Sequence, residues 1–140
     1  MTEPIWGYDI SSPSFKVLWL GDDISSIKQM FASILFRDTG IKGVVAKISN
    51  LEGNLKAQLS LLIDENPVIE KEFTNTKEGE ISFLLEKTVF PQRKVEVILQ
   101  VQNGKMGVFS TSVGTGMGFI LKKNDENYYP SSNFSIGVLI

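Results

Sequence analysis

Short segments in which every second side chain is apolar constrain the fold of this chain most strongly. In 95–102, valine and leucine occupy one parity and polar residues most of the other, which is the pattern of a half-buried β-strand. Segments with this alternation, or with short runs of strand-favouring residues, are 15–20, 44–48, 57–63, 68–73, 81–85, 95–102, 106–110, 119–121 and 136–140. Such segments, separated by turns at roughly 8–12-residue spacing, are typical of an antiparallel sandwich or barrel. The sequence therefore predicts an all-β fold.

Turns rich in glycine, asparagine, aspartate and proline separate these segments. Asn50–Asn54 and Asp64–Pro67 are two predicted turns. Asn103-Gly104 is the strongest turn signal, because both central residues of a type I′ turn require φ > 0. We therefore predict a β-hairpin that joins 95–102 to 106–110.

Residues 24–36 fit two secondary structures. The apolar residues between Ile24 and Leu35 fall at helical spacing, and Asp22 or Asp23 is a suitable N-cap. Alternate residues from Lys28 to Phe36 also fit a strand. Local signals favour the helix and leave the strand as the alternative.

A series of motifs along the chain matches a known kind of module. The motifs are Gln29-x-Phe31, Thr39-Gly40-Ile41-x-Gly43-Val44, Leu59-Ser-Leu61, Gly79-x-Ile-x-Phe83-x-Leu85, Val95-x-Val97-x-Leu99 and Tyr129-Pro130 followed by Phe134-Ser-Ile-Gly-Val138. Their order resembles a jelly-roll β-sandwich module of bacterial extracellular proteins and phage structural proteins, over residues 25–140. The resemblance implies a two-sheet antiparallel sandwich with a strand at Gln29–Phe36. It also implies a carbohydrate-binding or particle-surface role without catalytic residues.

Composition excludes several functional classes. The 140-residue chain has no cysteine and no histidine, which removes thiol nucleophiles, zinc sites built from these residues and the usual general base. The formal net charge is −2 and no basic stripe is present, so we predict no nucleic-acid partner. No apolar run approaches the roughly 20 residues of a membrane helix, and the N-terminus lacks a signal-peptide pattern. We therefore predict no membrane partner.

Two polar motifs have both a functional and a structural interpretation. Gly114–Gly118 lacks the glycine spacing of a dinucleotide-binding loop, so we interpret it as a β connection. Asp22, Asp23, Asp125 and Glu126 carry the oxygen ligands that Ca²⁺ prefers, but without the spacing of a calcium loop. We interpret these four as solvated acids in turns. The predicted domain has no catalytic residue, metal ion or cofactor.

Aromatic residues outside the predicted strands are the candidate binding residues. Trp6, Tyr8, Tyr128 and Tyr129 lie in irregular segments, and such rings stack on sugars or anchor protein interfaces. Trp19 lies inside a predicted strand and is expected in the core. A ring folded back over the sheet is the structural alternative for the four loop residues.

The N-terminal segment suggests an assembly role. We predict an extended arm at 1–14, followed by one sandwich domain at 15–140. Prolines in the arm disfavour regular secondary structure, so its apolar side chains either cover their own domain or lie across a neighbouring copy. The first functional hypothesis is a virion-surface protein, a phage capsid decoration or tail component that assembles through protein contacts, as in a homotrimer. The alternative is an extracellular carbohydrate-binding module with a glycan partner.

The predicted core consists of side chains from several strands. They are Leu59, Leu61, Ile81, Phe83, Val97, Leu99 and Val138. Each lies on the apolar face of an alternating segment, so we expect all of them between packed sheet faces.

Overall fold

The computed structural model describes residues 2–11, 16–74, 77–112, 114–115, 118–129 and 132–140. Its strands are β1 (Pro4–Trp6), β2 (Lys16–Leu20), β3 (Ile24–Ala32), β4 (Ile41–Ile63), β5 (Asn66–Thr74), β6 (Gly79–Val89), β7 (Lys94–Thr111), β8 (Gly118–Lys123), β9 (Glu126–Tyr128), β10 (Asn133–Phe134) and β11 (Ile136–Leu139). The predicted all-β class is confirmed. Hydrogen bonds join these strands into one antiparallel, 11-stranded network. The finer arrangement of two separate sheets in a jelly roll stays a prediction.

Two long strands organise the sheet. β4 pairs with β7 over most of its length, and it also pairs with β5, β6 and β11. Apolar side chains from both halves of β4, including Val44 and Leu59, belong to one hydrophobic core. The sheet therefore curls around a single core, and the bend lies in the middle of β4 and β7.

The hairpin predicted at Asn103-Gly104 is wrong, and so is the turn predicted at Asn50–Asn54. Both segments lie inside continuous strands, where the β4–β7 register shifts. Gly53 has φ of 70° and Gly104 has φ of 74°, and the two face each other across the ladder. A β-bulge uses a positive-φ glycine just as a hairpin turn does. The positive φ that the turn motif requires is present, but pairing between β4 and β7 places both glycines in a bend inside continuous strands and not in a hairpin turn.

Residues 24–32 form strand β3, so the helix favoured by local signals is wrong. β3 pairs with β7 on one side and β8 on the other, and Ile27, Gln29 and Phe31 are buried at alternate positions. The strand implied at Gln29–Phe36 is present only as far as Ala32, because Ser33–Phe36 form a 3₁₀ turn. Pairing on both edges outweighs helical spacing here.

Two hairpins close with positive φ at both turn residues. The turn predicted at Asp64–Pro67 is confirmed, with Asp64 and Glu65 at φ of 51° and 72°. Asn124 and Asp125 make the same kind of turn between β8 and β9, with φ of 50° and 62°. Asparagine and aspartate tolerate this conformation better than most residues. The polar residues after Leu121 therefore belong to a β-hairpin.

The predicted core is confirmed at most positions. Leu59, Leu61, Val97, Leu99 and Val138 are fully buried. Ile81 and Phe83 are only partly buried and pack against the edge of the core. Both lie on β6, whose pairing among the described residues is with β4 alone.

The N-terminal segment lies on its own domain in the described residues. β1 pairs with β11, and the backbone of Glu3 exchanges hydrogen bonds with that of Ile140. The predicted boundary between residues 14 and 15 falls outside the described residues, so the division into arm and domain stays a prediction.

Candidate functional site

The four candidate binding residues lie in two different environments. Trp6 and Tyr8 are buried, with exposed fractions of 8% and 5%. Tyr128 and Tyr129 are exposed, at 45% and 74%. Only the second pair presents substantial ring area to a ligand.

Trp6 and Tyr8 belong to a small cluster apart from the main core. The Trp6 and Tyr8 ring centroids are 5.8 Å apart at a right-angled orientation, and Tyr8 stacks on Phe109 at 6.3 Å. Burial raises the pKa of the Tyr8 hydroxyl, with a smaller contribution from Glu80. Beside these rings is a shallow groove of about 360 Å³. The groove is lined by Ile5, Trp6, Tyr8, Asp9, Ile10, Gly114 and Thr115, and we call it the N-terminal groove.

Trp19 was predicted in the core, and that prediction is wrong. Its side chain is 37% exposed, while its neighbour Leu20 is fully buried. The strand reads Lys-Val-Leu-Trp-Leu, so four consecutive apolar residues conceal which parity faces inward. Val17, two residues earlier, is exposed on the same side of the strand as Trp19.

Trp19 lines a depression with charged residues around it. The depression has a volume of about 250 Å³. Its lining consists of Val17, Leu18, Trp19, Asp22, Asp23, Ile24 and Lys123, and we call it the Trp19 depression. Exposed aromatic surface therefore lies beside carboxylate and ammonium groups.

The acidic turn of this depression rests on the bend of β7. Gly21 has φ of 116°, and a Cβ on it would overlap the backbone oxygen of Gly104, so only glycine permits this approach. Lys105 Nζ lies 2.9 Å from Asp22 Oδ1, and that hydrogen bond raises the pKa of Lys105. The backbone N–H of Asn124 donates to the Asp23 carbonyl at 3.0 Å. The turn is thus held by the bend and by the β8–β9 hairpin.

The hairpin connects the depression to Tyr128. Lys123 is the cross-strand partner of Glu126, and Leu121 is the partner of Tyr128. The Tyr128 hydroxyl donates to Glu126 Oε2 at 3.4 Å. Cross-strand partners share a face, so Lys123, which lines the depression, lies on the same side of the hairpin as Glu126 and Tyr128. We define the Trp19–Tyr128 surface as Trp19, Asp22, Asp23, Lys123, Glu126 and Tyr128.

The turn acids are brought close together without forming a metal site. Asp22 and Asp23 lie beside the hairpin that carries Asp125 and Glu126. Among the described residues, no three acidic side chains are grouped so as to hold a metal ion. In the glycine-rich segment, Gly114 pairs with Tyr8 in an isolated antiparallel bridge, and residues 113, 116 and 117 lie outside the described part.

A buried acid elsewhere in the sheet has a structural explanation. Glu96 is buried on β7. Lys28 Nζ lies 3.0 Å and Lys94 Nζ 3.6 Å from its carboxylate. Two lysines thus compensate this charge.

Comparisons with known proteins show the fold. No protein-family model and no curated protein matches the chain. The chain is similar to the crystal structure of the cysteine protease and lectin-like domains of Cwp84, a surface layer associated protein of Clostridium difficile, with TM-score 0.58 and 10% identity over 91% of this chain and 36% of that chain. A second structure, a variant of the clostridial cysteine protease Cwp84 after propeptide cleavage, has TM-score 0.54 and 10% identity over 92% of this chain and 41% of that chain.

These structures define a class of fold and no more. The chain spans less than half the length of the two proteins that it matches. An identity of 10% supports a shared β-rich architecture alone. In the described ranges, no helix is long and apolar enough to cross a membrane.

Proposed function

We propose that this domain is a non-catalytic carbohydrate-binding module and that the Trp19–Tyr128 surface is its binding site. The observation that carries the proposal is the half-exposed Trp19 indole in a depression with Asp22, Asp23 and Lys123. An aromatic face stacks on the C–H face of a sugar ring, while carboxylates accept hydrogen bonds from its hydroxyls. Tyr128 supplies a second exposed ring further along the hairpin.

The charges of the surface favour neutral glycans over acidic ones. Asp22 is paired with Lys105, which offsets its charge. The remaining charged groups of the surface are the carboxylates of Asp23 and Glu126 and the ammonium group of Lys123. A net negative site repels carboxylate, sulfate and phosphate groups on a ligand. We therefore expect neutral sugars to bind more tightly than uronic acids or sulfated sugars.

The solved structures support a carbohydrate-binding function over the virion-surface hypothesis. Both structures come from a surface-layer-associated cysteine protease, one described with a lectin-like domain, and neither is described as a phage protein. We propose that this all-β chain, which has no cysteine, corresponds to the lectin-like part. An extracellular location at a cell surface follows from that correspondence. Homotrimer assembly remains a prediction from the sequence.

The other three candidate binding residues divide between two sites, Tyr129 in the main binding surface and Trp6 and Tyr8 in the N-terminal groove. Tyr129 is exposed and follows Tyr128 directly, so we propose that it extends the binding surface. The N-terminal groove is the competing glycan site, although burial of Trp6 and Tyr8 leaves little ring area for stacking. Ile10 is an exposed apolar side chain of that groove.

A glycan array with matched variants tests this proposal. The wild-type protein should bind a set of neutral oligosaccharides, and Trp19→Ala should weaken that binding at least about tenfold, the equivalent of one lost aromatic contact. Phe90→Ala is the matched control, because Phe90 is an exposed aromatic residue that does not line the depression. If Ile10→Ala weakens binding and Trp19→Ala does not, the site is the N-terminal groove instead.

A further inference from the structure

A second depression lies on the other side of the Gly21–Asp23 turn. Its volume is about 170 Å³. It is lined by Gly21, Asp22, Ser25, Val101, Gln102, Asn103 and Gly104, and we call it the Gln102 depression. Asp22 lines both this depression and the Trp19 depression. The two hollows are therefore neighbours that share one residue, Asp22.

Two irregularities in the strands form the Gln102 depression. The β3–β8 register shifts between Ile24 and Ser26, which places Ser25 in a bulge. β7 bends at Gly104, and the Asn103 side-chain amide donates to the Asn54 carbonyl at 2.8 Å across that bend. Bulges re-aim side chains next to binding sites in many sheets. Here the bulge at Ser25 and the bend at Gly104 place hydroxyl, amide and carboxylate side chains around the hollow.

The chemistry of the two depressions is complementary. The Trp19 depression offers an aromatic face and apolar side chains, whereas the Gln102 depression offers hydrogen-bonding groups. A glutamine amide carries both donors and an acceptor, and a serine hydroxyl donates and accepts. These groups match neighbouring hydroxyls on a sugar ring that does not stack on an aromatic residue.

We propose that the Gln102 depression is a second sugar subsite, so that the domain binds at least two linked sugar rings across Asp22. One ring stacks on Trp19, and the next ring bonds to Gln102 and Ser25. Asp22 accepts hydrogen bonds between the two positions and is held there by Lys105. This inference rests on the proposed function and names its substrate class, a neutral disaccharide or longer oligosaccharide.

The dependence of affinity on ligand length tests the inference. The probes are cello-oligosaccharides, N-acetylglucosamine oligomers and manno-oligosaccharides of one, two and three units, titrated by isothermal calorimetry. In a series that binds, the disaccharide should bind about tenfold more tightly than the monosaccharide, which corresponds to one or two net hydrogen bonds. In Gln102→Ala and Ser25→Ala, that gain should fall to about twofold or less while the monosaccharide affinity stays unchanged.

Gln100→Ala is the matched control for these variants. Gln100 is an exposed glutamine on the same strand, two residues from Gln102, and it does not line the depression. The Gln100→Ala variant should keep the full increase in affinity from the monosaccharide to the disaccharide. If Trp19-dependent binding is present but the disaccharide binds no more tightly than the monosaccharide, the second subsite is refuted and the proposed function stands. If none of the three series binds, both proposals are refuted.

Discussion

The bend shared by β4 and β7 makes a quantitative prediction about two glycines. Gly53 and Gly104 both have positive φ, so alanine at either position carries a left-handed backbone cost of about 1–2 kcal/mol. The surroundings differ. A Cβ at Gly53 comes no closer than 3.7 Å to the Cα of Gly104, whereas a Cβ at Gly104 lies 2.9 Å from the Cα of Leu55. Backbone must move in the second case, which adds about 1–3 kcal/mol.

We therefore expect Gly104→Ala to destabilise the protein more than Gly53→Ala. The free energy of unfolding should fall by about 2–5 kcal/mol in Gly104→Ala and about 1–2 kcal/mol in Gly53→Ala, as measured by urea denaturation followed by circular dichroism. An exposed hairpin tip at Asn103-Gly104 would have no chain packed against the glycine. Equal losses in the two variants would therefore refute the continuous bent strand.

Three further predictions concern stability. Leu99→Ala should lower the free energy of unfolding by about 2–5 kcal/mol because Leu99 is fully buried, and a loss no larger than that of exposed Ile34→Ala would contradict the core assignment. Deleting residues 2–8 should lower the thermal midpoint and leave the oligomeric state in solution unchanged, since β1 pairs within its own chain. A loss of oligomers that the full chain forms would support exchange of the arm between copies. Backbone N–H groups of Gln92 and Arg93 hold the pKa of Asp64 below its ordinary value of 3.8. The stabilisation is complete above that value and is lost as the pH falls through the lower folded-state pKa, so an Asp64→Asn variant whose acid unfolding curve matches the wild type would contradict this linkage.

Alternation was a sufficient guide where a strand is buried on one face along its whole length. The 57–63 and 95–102 segments illustrate this, because every second side chain contacts one core. Local signals failed where pairing partners decide the outcome. Residues 24–32 have helical spacing, yet β3 is held between two neighbouring strands. Asn103-Gly104 satisfies the φ requirement of a turn and of a bulge equally.

The candidate site was only partly predictable for a related reason. Tyr128 and Tyr129 follow the polar Asn124-Asp125 turn, and that position indicates exposure. Trp19 was assigned to the wrong face because its strand lacks alternation. One usable signal was present: the acidic Gly21–Asp23 turn begins two residues after Trp19, which places the indole near the end of a strand. The proximity of the β8–β9 hairpin depends on tertiary pairing and has no local signal.

The fluorescence of Trp19 during glycan binding tests the central claim most directly. The chain has two tryptophans, so Trp6→Phe leaves Trp19 as the single indole. Titrating this variant with cello-oligosaccharides, N-acetylglucosamine oligomers or manno-oligosaccharides should give a saturable change in emission and protect Trp19 from acrylamide quenching, with the same Kd as calorimetry. Calorimetric binding without any change in Trp19 emission or quenching would contradict the proposed site.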